Sequence, residues 1–179
     1  KLGDPLSLDT EMGSLSTASQ FQRVTEYIAS AKQEGATIRV GATSDHAINE
    51  ASSVHKDGFF VKPTLLVDVT PDMTIAREEV FGPVLSILQW DDEDEMIDIA
   101  NGLDVGLTAS IWTESLDTAM RLTGKIQAGY VWVNDSSDHY LGAPFGGTKS
   151  SGQGREECLE ELLAYTEAKT VTIVQKSRY

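Results

Sequence analysis

The sequence predicts an α/β fold, a mostly parallel twisted sheet flanked by helices. Three observations carry this reading. Strand-like and helix-like segments alternate along the chain, the turns between them are short and polar, and a last alternating segment supplies a terminal strand. Parallel strands need crossover connections, which such alternation provides. Of 179 residues, 40% are hydrophobic and 23% charged, which is ordinary for a globular chain and excludes disorder as the default state. No internal repeat or low-complexity linker divides the chain, so it reads as one unit.

Thr17 and Gln20 have the spacing of a capping box and predict a helix start. Phe21, Val24, Ile28 and Ala31 then recur at intervals of three and four, the period of one buried helical face, and Gly35 is placed to end the helix in a left-handed conformation. Thr37 to Val40 is a short strand, and the polar stretch Gly41 to Asp57 reads as a surface loop. Phe59 to Val69 is β-rich, but Pro63 cannot donate to a ladder, so it is an edge strand or two short strands. Val84 to Trp90 reads as a central strand.

The acidic run Asp91 to Glu95 precedes Met96, Ile97 and Ile99, placing negative charge at a helix N-terminus where it is favourable. Leu107 to Trp112 is a strand, Ser115 to Lys125 a helix with Leu116, Met120 and Leu122 inward, and Gly129 to Val133 another strand. After the glycine-rich Gly142 to Arg155 come a helix near Glu156 to Ala164 and an alternating strand, Lys169 to Gln175.

Charge narrows the function. With 14 Lys and Arg against 28 Asp and Glu the formal net charge is −14, so nucleic acid and anionic membranes are repelled. No apolar stretch approaches the roughly 20 residues that span a bilayer. Cys158 is the sole cysteine, which excludes an internal disulfide and leans towards a reducing compartment; the expected location is cytoplasmic, or mitochondrial if a transit peptide lies upstream. Glu156, Glu157, Glu160 and Glu161 surround it and disfavour a thiolate, so it reads as structural. His46, His55 and His139 share no metal-ligand spacing and read as solvated loop residues; no metal is assigned. The opening at Lys1, without Met or signal, reads as a piece of something that begins earlier.

Two segments stand out for chemistry. Glu78-Glu79-Val80-Phe81-Gly82-Pro83 sets two carboxylates and a ring in irregular backbone before a strand, but spacing alone favours a solvated helix end followed by a turn. The stretch Pro144 to Arg155 holds four glycines and two cations. Thr148 precedes Lys149 where a phosphate-cradling Walker loop needs glycine, and no dinucleotide fingerprint follows a strand, so physics favours a structural turn.

Taken together, Gly58-Phe59-Phe60-Val61-Lys62-Pro63-Thr64, Arg77-Glu78-Glu79-Val80-Phe81-Gly82-Pro83 and Pro144-Phe145-Gly146-Gly147-Thr148-Lys149-Ser150-Ser151-Gly152 resemble the C-terminal part of the NAD(P)-dependent aldehyde dehydrogenase superfamily. Gly3-Asp4-Pro5 with Met12-Gly13, Gly129 to Asn134 and Tyr165 to Val171 match the same family, so the likeness covers nearly the whole chain. Thr148 departs from it, standing where many members carry a larger residue.

The resemblance implies attack of a cysteine thiolate on an aldehyde, hydride transfer to NAD or NADP, and hydrolysis of the thioester. It also implies that the nucleophile and the glutamate base lie outside this chain, which by itself would be inactive; Cys158 matches a variable position. Glu79 corresponds to a glutamate that accepts hydrogen bonds from the nicotinamide ribose, and Phe81 to a ring packed beside the nicotinamide. Gln20 and Arg23 match positions that contact a cofactor ribose, while Tyr140 and Phe145 fall in a loop, Asn134 to Phe145, that lines the aldehyde entrance. Residues 1–165 would then be part of a catalytic domain and 166–179 a C-terminal oligomerisation strand and tail, with Lys169 to Gln175 joining a second subunit. A non-catalytic interaction module of the same fold is the alternative.

Overall fold

The computed structural model describes residues 1–41 and 58–175, and within it the chain forms two compact units, Lys1–Asp91 and Asp92–Tyr179. The first unit opens on helix α1 (Ala18–Glu34). The Thr17 hydroxyl accepts the Gln20 backbone N–H at 3.2 Å, and Gly35 closes the helix at φ 114°, so both ends form as their residues predict. The other half of the capping box is absent, because the Gln20 carboxamide points away to a distant loop.

Strands β1 (Thr37–Val40), β2 (Thr64–Val67) and β3 (Val84–Ser86) make a sheet ordered β1-β2-β3. β1 runs antiparallel to β2 with a bulge between Ile38 and Val40, and β2 runs parallel to β3. Two expectations change places here. β2 is central because Pro63 sits just before it, where its missing N–H costs nothing. β3 is a three-residue edge, and Leu85, Ile87 and Trp90 of the expected central strand are exposed. The short helix α2 (Thr74–Arg77) lies in the β2–β3 crossover, its first N–H bonded to Glu34 Oε2. Val24, Tyr27, Ile28 and Ala31 of α1 are buried, and within the unit's core Tyr27 and Ala31 cluster with Leu66, Val69, Met73 and Ile75.

The second unit begins with α3 (Glu93–Asn101), capped by Asp92, whose carboxylate accepts from the Asp94 and Glu95 N–H groups, as the acidic run predicts. Strands β5 (Thr108–Ile111) and β6 (Tyr130–Val133) pair in parallel across helix α4 (Leu116–Lys125), a βαβ crossover. Its core is small: Ile97, Ile111 and Leu122, with Met96, Ile126 and Val131 against them. α4 meets it through Ala119 and Leu122, whereas Leu116 and Met120, expected inward, are exposed. β4 (Val105–Gly106) pairs antiparallel with β7 (Thr148–Lys149), and α5 (Leu159–Ala164) follows.

The α/β content is therefore as expected, but one mostly parallel sheet is not what forms among the described residues: there, three small sheets hold two parallel and two antiparallel pairings. Lys169 to Gln175 makes no ladder among the described residues and is exposed throughout, because alternation without a partner strand leaves its N–H and C=O groups unpaired. Of the stretch read as a surface loop, residues 42–57 fall outside the described residues.

Candidate active-site segments

In the first unit the segment Glu78 to Pro83 leaves α2 and enters β3. Its backbone is held from one side by α1. Gln20 Nε2 donates to the Val80 carbonyl at 3.0 Å and also to the Phe81 carbonyl. One turn and more along the helix, the Tyr27 hydroxyl donates to Glu78 Oε2 and receives a bond of 3.2 Å from Arg23 Nη2. The Arg23 guanidinium lies 5.5 Å from the Tyr27 ring centre, within cation–π range. Gly82 packs so closely on fully buried Val24 that a Cβ there would stand 2.5 Å from a valine methyl, which only glycine avoids.

Between these fixed points Phe81 adopts φ 52°, a left-handed conformation that costs a non-glycine residue roughly 1–2 kcal/mol. Its ring is 66% exposed. Glu79 is exposed as well, and among the described residues no hydrogen bond or ion pair engages its carboxylate. A free carboxylate accepts two hydrogen bonds at once, and an adjacent exposed ring offers an apolar face; a vicinal diol beside a planar heterocycle fits that donor-acceptor set. Of the four residues expected at a cofactor, Glu79 and Phe81 thus present free groups. Gln20 and Arg23 direct their donors to the protein itself.

The second unit brings Phe145 into a ring cluster. Tyr130 and Trp132 sit two apart on β6, on one face, with ring centres 4.7 Å apart. His139 stacks on Tyr130 at 5.8 Å and meets Phe145 at 4.5 Å, while Nδ1 lies 2.8 Å from Glu157 Oε1. His139 is an exposed loop residue, as expected, and its ring also packs beside three others and bonds a carboxylate. The loop that carries it is pinned twice: Trp132 Nε1 donates to the Asp138 carbonyl at 2.7 Å, and Phe145 and Glu156 exchange backbone bonds at 3.0 and 2.7 Å. Tyr140 stays outside the cluster, exposed, and lines an open groove along β6 with Asp135. The alternation of Tyr130 and Trp132 was a usable signal for this cluster; nothing local marks His139 or Glu157, which join only when the loop closes.

The glycine-rich turn uses its polar groups on its own unit. Thr148 Oγ1 lies 3.2 Å from both the Gly106 and Gln127 carbonyls, Lys149 Nζ donates to the Asn101 and Leu103 carbonyls, and Arg155 Nη1 donates to those of Gly147 and Gly154. This is the structural turn that its sequence predicts. Cys158 is the N-cap residue of the six-residue α5 and remains among its carboxylates. No group of three or more potential ligands that could hold a metal ion occurs among the described residues.

Residues 1–171 match the aldehyde dehydrogenase family, and the chain belongs to that family. It is 51% identical over 164 residues to aldehyde dehydrogenase tropH of Talaromyces stipitatus, covering 92% of this chain and 32% of the relative. It is 44% identical over 172 residues to retinaldehyde dehydrogenase 3 of Rattus norvegicus, covering 96% and 32%. The NAD+ complex of an aldehyde dehydrogenase from Bacillus cereus matches with a TM-score of 0.85 and 43% identity, covering 98% of this chain and 34% of that one.

The chain thus spans about a third of the length of these relatives. That share measures extent and not position, so the C-terminal placement expected from the resemblance gains nothing from it.

Proposed function

We propose that this chain is the part of an aldehyde dehydrogenase that grips the nicotinamide ribose, and that the whole protein oxidises an aldehyde to a carboxylic acid with NAD+ or NADP+. The observation that carries the reading is the unpartnered, exposed Glu79 carboxylate on a turn whose neighbours are engaged. Glu79 accepts the two ribose hydroxyls; bonds to a charged group contribute about 1.5–3 kcal/mol each. Phe81 packs its exposed ring beside the nicotinamide, excluding water and limiting poses. The bound cofactor supplies the hydride acceptor. Every other chemical part, the thiolate nucleophile and the base, is assigned to residues outside this chain, as the family resemblance implies; Cys158, at the start of the short α5, matches a variable position.

Tyr140 and Phe145 are assigned to the aldehyde entrance, Tyr140 by direct contact and Phe145 through the ring cluster it completes. Residues 1–165 act as part of the catalytic domain, and 166–179 as a bridge to another subunit in a homo-oligomer. The exposed Val171, Ile173 and Val174 favour that bridging role, since strand addition would cover them. We place the protein in the cytoplasm, in line with its single cysteine; no described helix is long and apolar enough to cross a membrane.

The direct test is Glu79→Gln in the full-length polypeptide. Hydride transfer, followed as NAD(P)H absorbance in single turnover, should slow by more than the change in aldehyde binding. An unchanged rate constant removes the ribose role. The isolated 179 residues should show no turnover above background.

A further inference from the structure

We infer that Gln20 is a positioning residue that sets the Glu79–Phe81 turn through its backbone and does not itself contact the cofactor. The inference rests on the ribose role of Glu79 proposed above. The carboxamide of Gln20 has one NH2 group, and its nitrogen is within bonding reach of two consecutive carbonyls, Val80 at 3.0 Å and Phe81. Two carbonyls converge on one donor only if the peptide between them turns sharply, and Phe81 does so at φ 52°. Bonding both carbonyls offsets the cost of that conformation.

The same helix fixes the turn on either side. Tyr27, about two helical turns further on, holds Glu78, and Val24 between them receives Gly82. Residues 20, 24 and 27 follow the three-to-four spacing of one helix face, so a single rigid element engages residues 78, 80, 81 and 82 and skips only the side chains of Glu79 and Phe81. Those two side chains project from a backbone with little freedom, which lowers the ordering cost of binding.

The test uses the full-length polypeptide and three variants. Gln20→Glu replaces the donor with a carboxylate that repels both carbonyls, and Gln20→Leu removes the donor while keeping the stem. Either should speed backbone hydrogen exchange at residues 79–82 in the absence of cofactor and weaken NAD(P)+ binding about tenfold, the loss of two neutral bonds. Aldehyde KM should move less than about twofold, an independent site being unaffected. Combined with Glu79→Gln, the Gln20 substitution should add clearly less than its own tenfold loss in cofactor affinity, since it acts in part through that side chain.

Unchanged exchange at 79–82, or affinity losses that multiply in the double variant, overturn the clamp in favour of direct contact. The ribose reading fails separately, by Glu79→Gln binding NAD(P)+ as the parent does.

Discussion

Two irregular segments of this chain, Glu78 to Pro83 and Gly146 to Arg155, use their polar groups in opposite ways. The glycine-rich turn contains two cations and reads at first sight as the ligand site, yet Lys149, Thr148 and Arg155 all terminate on carbonyls of the same unit. The Glu78 to Pro83 turn has an ordinary composition, and there the scaffold engages the backbone and leaves a carboxylate and a ring free. Glycine content reports how closely backbones approach. Glu79 and Phe81, left free by a turn whose backbone is engaged, are the groups that the proposed ribose role uses.

This contrast can be broken by substitution, and the largest effect belongs to the glycine-rich turn. A Cβ on Gly129 would stand 1.8 Å from the Gly146 carbonyl oxygen, where backbone must move. Gly129→Ala should destabilise the full-length protein by about 3 kcal/mol, the upper range for forced overpacking. The shift in denaturant midpoint measures it, and an unchanged midpoint would show that the turn yields freely. Lys149→Met comes next. It deprives the Asn101 and Leu103 carbonyls at the end of α3 of their donor, at 2.7 and 2.8 Å. Because these groups are exposed, water replaces part of the loss and about 1 kcal/mol is expected, with cofactor affinity unchanged. A loss of NAD(P)+ affinity in Lys149→Met would reopen the turn as an anion site.

How far the sequence exposed all this depended on whether a signal was local. The starts of α1 and α3 were legible because a cap is made by residues two or three apart: Thr17 with Gln20, Asp92 with Asp94 and Glu95. Strand rank was not legible. Val84 to Trp90 has the composition of a central strand, yet β3 is an edge because nothing among the described residues pairs with its far side. Lys169 to Gln175 alternates correctly and forms no strand, since a ladder is a property of two segments. In α4 the period identified the helix and placed Leu122 inward, but it misplaced Leu116 and Met120, since the buried face continues through small Ala119. Glu79 and Phe81 were found by resemblance to a family and not by composition. The contacts of His139 were missed, because its ring neighbours and Glu157 come together through loop closure.

Smaller effects sharpen the contrast from the other side. Tyr27→Phe removes the hydroxyl that joins Arg23 to Glu78, and with the ring retained the core is undisturbed. A loss of about 1 kcal/mol is expected, the net worth of a part-buried hydrogen bond, seen in denaturant melts. Because the bond anchors the segment beside Glu79, a modest weakening of cofactor binding should accompany it. Glu79→Gln should give the smallest change in stability. Its carboxylate has no partner, so stability should stay within about 0.5 kcal/mol, as for surface substitutions away from special features. Yet the same substitution should produce the largest functional loss of the four. Stability and function then rank Gly129 and Glu79 in reverse order, as expected if the glycine-rich turn serves the fold and the acidic turn serves the ligand. If Glu79→Gln lowers the denaturant midpoint as much as Tyr27→Phe does, the carboxylate has a structural partner in the full-length protein, and its freedom in this chain ceases to be an argument for binding.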